Sequence, residues 1–272
     1  FPSILPKLTP TEAVESTQIF SISEELTDDE PLVTSRSFRS PHHNASATSI
    51  VGGGRYPTPG EITLAHNGVL FLDEFPEFSK KAIENLRQPL EDGSITISRS
   101  ESKHTFPADF TLIATQNPCP CGFYTDKDKD CACSASEIKR YNKKISGPIA
   151  DRIDLYVEVP KVKTEKLSSE EKTESSKTVR SRVEVARNQQ QKRLQNTEKN
   201  TNSEMGNKLV NKHCCLENNI QNFLNQAIDQ MNLSARSYYK TIKVARTIAD
   251  LEQKEDINKP HIAEALQYMN KS

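Results

Sequence analysis

The run Gly68-Val69-Leu70-Phe71-Leu72-Asp73-Glu74 places four large apolar residues directly before two acids. A continuous apolar run, as opposed to an alternating one, is the pattern of a parallel strand covered on both faces. Downstream, Ser79 is a cap residue, so a helix is predicted from Lys80, to be ended or kinked by Pro89 and closed by Gly93. Ile95 to Arg99 alternates, and His104 to Phe106 does so weakly. The short Ser100 to Lys103 link between them predicts a β-hairpin. Phe110 to Ala114 is a second apolar strand, ending in Thr115-Gln116-Asn117. Strand, helix, hairpin, strand is α/β organisation, and ligands of such a sheet sit beyond the carboxyl ends of its strands.

Working outward, Leu155 to Val159 predicts a further strand. Residues 161–204 then read as a polar connector. Between Lys161 and Asn200 there are 11 Lys and Arg against 6 Glu, with no Gly, Pro or aromatic residue. A partial helix is predicted within it from Thr178 to Arg193, and Asn196 to Asn202 is a polar break. Beyond the connector the periodicity is helical only. Leu216, Ile220, Phe223, Leu224 and Ala227 recur at threes and fours, Ser234 caps a helix through Leu251, and Lys259-Pro260 opens a last one. The predicted domains are therefore 1–160 (α/β), 161–204 (connector) and 205–272 (a small helical bundle).

The 272 residues carry 36 basic and 37 acidic side chains, a formal charge of −1. That balance excludes a uniformly basic nucleic-acid coat, though not a local basic surface. With 34% apolar and 27% charged residues, the chain reads as soluble, and its longest strongly apolar run is far below the length of a membrane-spanning helix. No signal peptide is visible, so a cytoplasmic, reducing location is expected. The chain lacks an initiator Met and is expected to be a piece of something longer. Six cysteines are few for a disulfide scaffold, but Cys119, Cys121, Cys131 and Cys133 lie within fifteen residues. In a reducing compartment such a group favours metal over disulfides.

Acids at a strand end suit phosphate chemistry. Asp73 can hold Mg²⁺, and Glu74 can polarise an attacking water. The blander reading is an exposed strand end. Asn117, after the next strand, can touch a γ-phosphate or orient water. Arg152, before the predicted strand at Leu155, is a candidate arginine finger for a neighbouring subunit, or an ordinary ion-pair partner of Asp151 or Asp154. Arg236, at the start of a helix in the last domain, reads by itself as a surface Arg.

The order of these pieces resembles Walker B, sensor 1, arginine finger and sensor 2 of an AAA+ ATPase. The strings narrow the resemblance. Phe38-Arg39-Ser40-Pro41-His42-His43, the Leu64 to Glu74 segment, Asn117-Pro118-Cys119-Pro120-Cys121-Gly122, Ser146-Gly147-Pro148 with Asp151 to Leu155, and Leu233-Ser234-Ala235-Arg236 with Val244 to Leu251 look like the Mg-chelatase-like ComM/YifB family. The resemblance covers nearly the whole chain. It implies an AAA+ P-loop core with a parallel sheet and a pre-sensor hairpin, followed by an all-α lid. It also implies ATP and Mg²⁺ as cofactors, a homo-hexamer, and work on DNA as a helicase or branch-migration motor in competence or recombination. The catalytic residues would be Asp73, Glu74, Asn117 and Arg152, with Arg236 on the nucleotide.

One departure matters. No Gly-x-x-x-x-Gly-Lys-Ser/Thr occurs in the 272 residues, and the Gly52-Gly53-Gly54 cluster lacks the Lys that should follow, reading instead as a flexible loop tip. By resemblance the chain begins just after Walker A, without the family's N-terminal Lon-protease-like domain, and by itself is expected to be inactive.

The hairpin would point into a ring pore, where Arg99, Lys103 and His104 are candidates for a phosphate backbone. The alternative is a charged, solvated hairpin that prevents edge pairing. Cys119, Cys121, Cys131 and Cys133, spaced C-x-C-x₉-C-x-C, are candidate ligands of a structural Zn²⁺. Cys214 and Cys215 read as small buried helix residues, and His42-His43 as a loop. Two other functions stay open: a Mg-chelatase motor subunit remodelling a protein partner, which the cysteine group argues against, and a non-enzymatic Zn-stabilised binding module.

Overall fold

The computed structural model describes residues 1–27, 29–54, 57–98, 103–126, 128–145, 147–160 and 174–269. The chain divides into two compact units, Lys7–Arg152 with Pro2, and Ile153–Ser272 with Phe1 and Ser3–Pro6.

The Lys7–Arg152 unit runs α1 (Pro10–Ile22), β1 (Phe38–Arg39), α2 (Ala47–Val51), β2 (Gly52–Gly53), β3 (Thr58–Pro59), α3 (Glu61–Leu64), β4 (Val69–Leu72), α4 (Lys80–Asn85), α5 (Arg87–Asp92), β5 (Ser94–Ser98), β6 (Lys103–Pro107), β7 (Thr111–Ala114), α6 (Ala135–Asn142) and α7 (Gly147–Ala150). Its main sheet has the order β1-β4-β7 and is parallel throughout. The apolar run Val69–Leu72 is the central strand, as its composition predicts. Val69, Leu70 and Leu72 are buried, and Phe71 stacks on Phe38 of β1 with ring centroids 5.9 Å apart. Gly68 lets this strand enter against its neighbour, for a Cβ there would lie 2.3 Å from the Ser37 carbonyl oxygen. Ile50, Ile62, Phe75, Ile83 and Leu86 complete the core.

Ser79 caps α4, its hydroxyl accepting from Ala82 N–H at 3.2 Å. The helix breaks at Leu86, ahead of Pro89, which has no N–H to continue the ladder, and Gly93 (φ 63°) ends α5 in the left-handed region. β5 and β6 form the predicted antiparallel hairpin, with Ser94 opposite Pro107 and Ser98 opposite Lys103.

Two expectations need correction. Leu155 to Val159 is not a strand. Leu155, Val157 and Val159 are exposed, and the Tyr156 N–H bonds the Tyr268 carbonyl at 2.8 Å in place of a ladder partner. Alternating apolar residues form a strand only where a sheet edge receives them. The glycine cluster is more than a loop tip: Gly52–Gly53 pairs antiparallel with Thr58–Pro59.

The second unit holds α8 (Ser176–Leu194), α9 (Asn207–His213), α10 (Asn218–Gln230), α11 (Ala235–Leu251) and α12 (Lys259–Gln267). Ser175 and Ser234 cap α8 and α11. Leu194, Met205, Val210, Leu224, Ile242, Ala245, Ile262 and Ala265 share one core. Residues 161–173 lie outside the described residues. From Ser176 the chain is a 19-residue helix whose Ala186, Gln190 and Leu194 are buried. Cys214 is buried in the same core, whereas Cys215 is exposed, so only one of the two thiols is the packed residue expected. No helix among the described residues is long and apolar enough to cross a membrane.

Candidate active site

β4 and β7 are neighbours in register, Leu72 opposite Ala114, so the residues that follow them, Asp73-Glu74 and Thr115, meet. The Thr115 hydroxyl donates to Asp73 Oδ1. The Glu74 N–H reaches both Asp73 Oδ1 and Thr115 Oγ1, each at 3.1 Å. Thr115 N–H bonds the Leu72 carbonyl at 3.1 Å and Phe75 N–H the Thr115 carbonyl at 2.8 Å, lacing the two strand ends together. Glu74 is held at φ 53°, ψ 46°, a left-handed conformation that few non-glycine residues adopt. Both acids are exposed, and so open to an ion and a water.

Sequence reasoning missed three contributors. Thr115 carries no motif signal of its own in the sequence. His43, read as a loop residue, brings Nδ1 to 3.2 Å from Glu74 Oε2 and sets its ring edge-on to Phe78. Tyr141, buried on α6, faces the backbone amide of Asn117 with its hydroxyl. Burial raises its pKa above the ordinary tyrosine value, and the charges of Glu77, Glu74 and Cys119 raise it further. Lys144 sits over the Tyr141 ring, 5.6 Å from its centroid, and pairs with Glu77 at 3.0 Å. A histidine in a loop and a lone tyrosine on a helix carry no local signal; tertiary packing alone brings them here. Asn117 itself is exposed.

Arg152 lies in the same unit as Asp73 and Glu74, with its side chain only 9% exposed. Its guanidinium binds Glu91 of α5 and donates to the Pro148 carbonyl at 2.6 Å. Glu91, distant in sequence, is thus an ion-pair partner of Arg152. Arg236 belongs to the other unit, exposed on the first turn of α11. Of the three hairpin candidates, Lys103 and His104 are exposed at the tip end of β6, and Arg99 lies outside the described residues.

The four clustered cysteines converge. Their sulfurs lie within 4.8 Å of one another, and among the described residues they are the group of metal-ligating side chains close enough to share one ion. The Sγ separations are 3.4 Å for Cys119–Cys121 and 3.6 Å for both Cys119–Cys131 and Cys121–Cys131. None is in a disulfide. Backbone N–H groups of Phe123 and Ala132 face Cys121, whose thiol, helped by its neighbours Cys119 and Cys133, is held down to about 6. The amide of Cys121 favours the thiolate of Cys133, but burial and the neighbouring sulfurs prevail and push that thiol up to about 12. A set holding one readily formed thiolate among thiols can bind a metal cation.

The sequence pattern of the family described as "Magnesium chelatase, subunit ChlI" matches residues 1–167, and that of "Magnesium chelatase, subunit ChlI C-terminal" matches residues 173–269. The chain is 42% identical over 266 residues to the competence protein ComM of Haemophilus influenzae, covering 97% of this chain and 51% of that protein. It is equally identical, over the same shares, to the uncharacterized protein YifB of Salmonella typhimurium. A shorter match, 27% over 70 residues, reaches the magnesium-chelatase 67 kDa subunit of Chlorobaculum parvum, covering 26% of this chain and 11% of that protein. The chain spans about half the length of the curated relatives it matches along its whole extent.

Proposed function

The chain belongs to the Mg-chelatase-like family that includes ComM and YifB, and on that premise we propose that the full-length protein is a cytoplasmic, homo-hexameric AAA+ motor that hydrolyses ATP to work on DNA. The single observation that carries this reading is the laced end of β4 and β7, where Asp73 and Glu74 stand exposed beside the loop of Asn117. Exposed carboxylates are hard oxygen ligands suited to Mg²⁺, which when bound neutralises charge on the phosphates. Asp73 holds that ion, Glu74 polarises water, and Asn117 orients the water or the γ-phosphate. Arg152 reaches a neighbour's nucleotide, and Arg236 acts as the lid's phosphate contact. The four cysteines take one structural Zn²⁺. Lys103, His104 and Arg99 of the hairpin meet the DNA backbone. A relative named a competence protein supports DNA over a protein substrate.

The 272 residues hold no Gly-Lys-Ser/Thr phosphate loop, so the test uses the full-length protein. It should hydrolyse ATP in the presence of Mg²⁺ and do so faster with DNA. Glu74→Gln should bind nucleotide normally and lose turnover by about 10²–10⁴-fold, the usual cost of removing a general base. Turnover indifferent to DNA but raised by a protein partner would point to chelatase-type remodelling. No turnover at all would point to a binding module.

A further inference from the structure

The cysteine cluster joins the two segments that frame Asn117. Cys119 follows Asn117 by two residues, and Cys133 immediately precedes Ser134, the cap of α6. α6 returns with Tyr141, whose hydroxyl faces the Asn117 amide. The chain thus leaves the end of β7, passes the four sulfurs and comes back to face its starting point. Nine residues lie between the second and third cysteines, and among the described residues from Cys119 to Cys133 only Cys119 is buried. Among the described residues between Cys121 and Cys131 no side chain is buried.

The sulfurs supply what packing does not. A tetrahedral Zn²⁺ with Zn–S bonds of about 2.3 Å sets its sulfurs about 3.8 Å apart. The three separations of 3.4 and 3.6 Å fall just inside that value, so a small outward movement admits the ion. Backbone amides already back the sulfurs: Phe123 and Ala132 on Cys121, Cys133 on Cys131, and Cys121 on Cys133. Such outer contacts orient metal ligands. A β-turn closed by Gly122 N–H on the Cys119 carbonyl at 3.0 Å presents the first two cysteines on one side.

We infer that Zn²⁺ bound by Cys119, Cys121, Cys131 and Cys133 is a positioning device: it fixes the loop of Asn117 against Tyr141, and thereby the distance of Asn117 from Asp73 and Glu74. The role of Asn117 in turnover rests on the function proposed above; the metal and its hold on the loop do not. The full-length protein should carry about one Zn²⁺ per chain by elemental analysis, and exchange with Co²⁺ should give the intense thiolate-to-metal absorption of a tetrahedral sulfur site. Cys131→Ser should lose the ion, Cys131→His should retain it, since imidazole is also a zinc ligand, and Cys215→Ser, outside the cluster, should change nothing.

Amide hydrogen exchange across residues 116–142 should speed up in Cys131→Ser while Val69–Leu72 stays protected. Turnover should fall about 10–100-fold, the usual cost of disturbing a metal's supporting shell, with KM for ATP within about twofold of wild type, and Cys131→His should restore it. Protein prepared without chelators that holds no metal overturns the inference. So does metal loss that leaves exchange at 116–142 unchanged, and so does metal loss that unprotects Val69–Leu72 as well, since the ion is then a general staple. If wild type binds one Zn²⁺ and shows the local exchange effect yet never hydrolyses ATP, the motor reading fails and the metal's hold on the loop stands.

Discussion

His66 is a base that the fold keeps neutral. Its side chain is buried, Nδ1 accepts the Asp109 N–H at 3.1 Å, and Nε2 lies 3.5 Å from Glu15. Burial lowers its pKa below 6.5, outweighing the opposing pull of Glu15 and Asp109. Protonation would also turn Nδ1 into a donor aimed at an N–H. The unfolded chain therefore takes up the proton first. The stability tied to this group is fully present above about pH 6.5 and is lost as pH falls below it. Urea midpoints of the chain should drop between pH 7.5 and 5.5, and drop less in His66→Asn, whose amide oxygen can still accept the Asp109 N–H. Equal drops in both proteins would assign the pH dependence elsewhere. His66 falls within the Leu64 to Glu74 string, so its neighbourhood was visible in the sequence, but its burial was not. The packing of His43 and Tyr141 was likewise not visible. Residue types announce chemistry only when they come in a pattern, such as Asp73-Glu74 after an apolar run or the paired cysteines. A single side chain becomes functional by what packs against it.

Among the elements, those with a strong period were legible. Val69–Leu72, the hairpin, α10, α11 and α12 follow from apolar spacing and caps, and α4 from Ser79. Leu155 to Val159 misled because its alternation describes a side-chain pattern and not a partner strand. A second feature carried no signal in the sequence. Arg246 and Asp250 stand four apart on α11, where an acid-base pair usually marks a solvated face. Both are buried, Asp250 completely. Arg246 Nε meets Asp250 Oδ1 at 3.1 Å, Arg193 from α8 meets Oδ2 at 2.9 Å, and the Asn202 amide donates to Oδ2 at 2.8 Å. One carboxylate thus pairs with two arginines brought from separate helices. Removing it strands their charge, and breaking a buried pair in this way costs about 3–5 kcal/mol. Asp250→Ala should lower the unfolding free energy of the Ile153–Ser272 unit by that amount, and Asp250→Asn, which keeps the volume and some hydrogen bonding, should cost less. Chemical denaturation followed by circular dichroism decides it. A loss below about 1 kcal/mol would show that water reaches the arginines.

On the scale of the whole molecule, the order of motifs was readable across nearly the full chain, whereas the contacts of Arg152 were not. Within its own unit Arg152 is tethered to Glu91 and the Pro148 carbonyl. As a finger for a neighbouring subunit it must leave Glu91 for a γ-phosphate, where it stabilises charge developing in the transition state. A purely structural role would keep it on Glu91. The two roles separate when subunits are mixed. A finger acts in trans and can come from another subunit, whereas each subunit's water must be activated by its own Glu74. Arg152→Ala and Glu74→Gln should each be nearly inactive in the full-length protein, since loss of such a finger costs on the order of a thousandfold or more. Mixed hexamers should recover part of the activity, because interfaces pairing an intact Glu74 with a neighbour's intact Arg152 form by chance. Glu91→Gln, which weakens the tether without touching the finger, should keep turnover, while a structural Arg152 would make Glu91→Gln resemble Arg152→Ala. If mixed hexamers demonstrably form and stay as inactive as either parent, Arg152 acts within its own subunit or every site in the ring must be intact. Adding excess wild-type subunits tells these apart: activity rising in proportion to wild-type subunits favours action within the subunit, and activity appearing only when nearly all subunits are wild type favours a concerted ring. Full activity of Arg152→Ala alone would remove the finger and leave the Glu91 pair as a fastening between α5 and the end of α7.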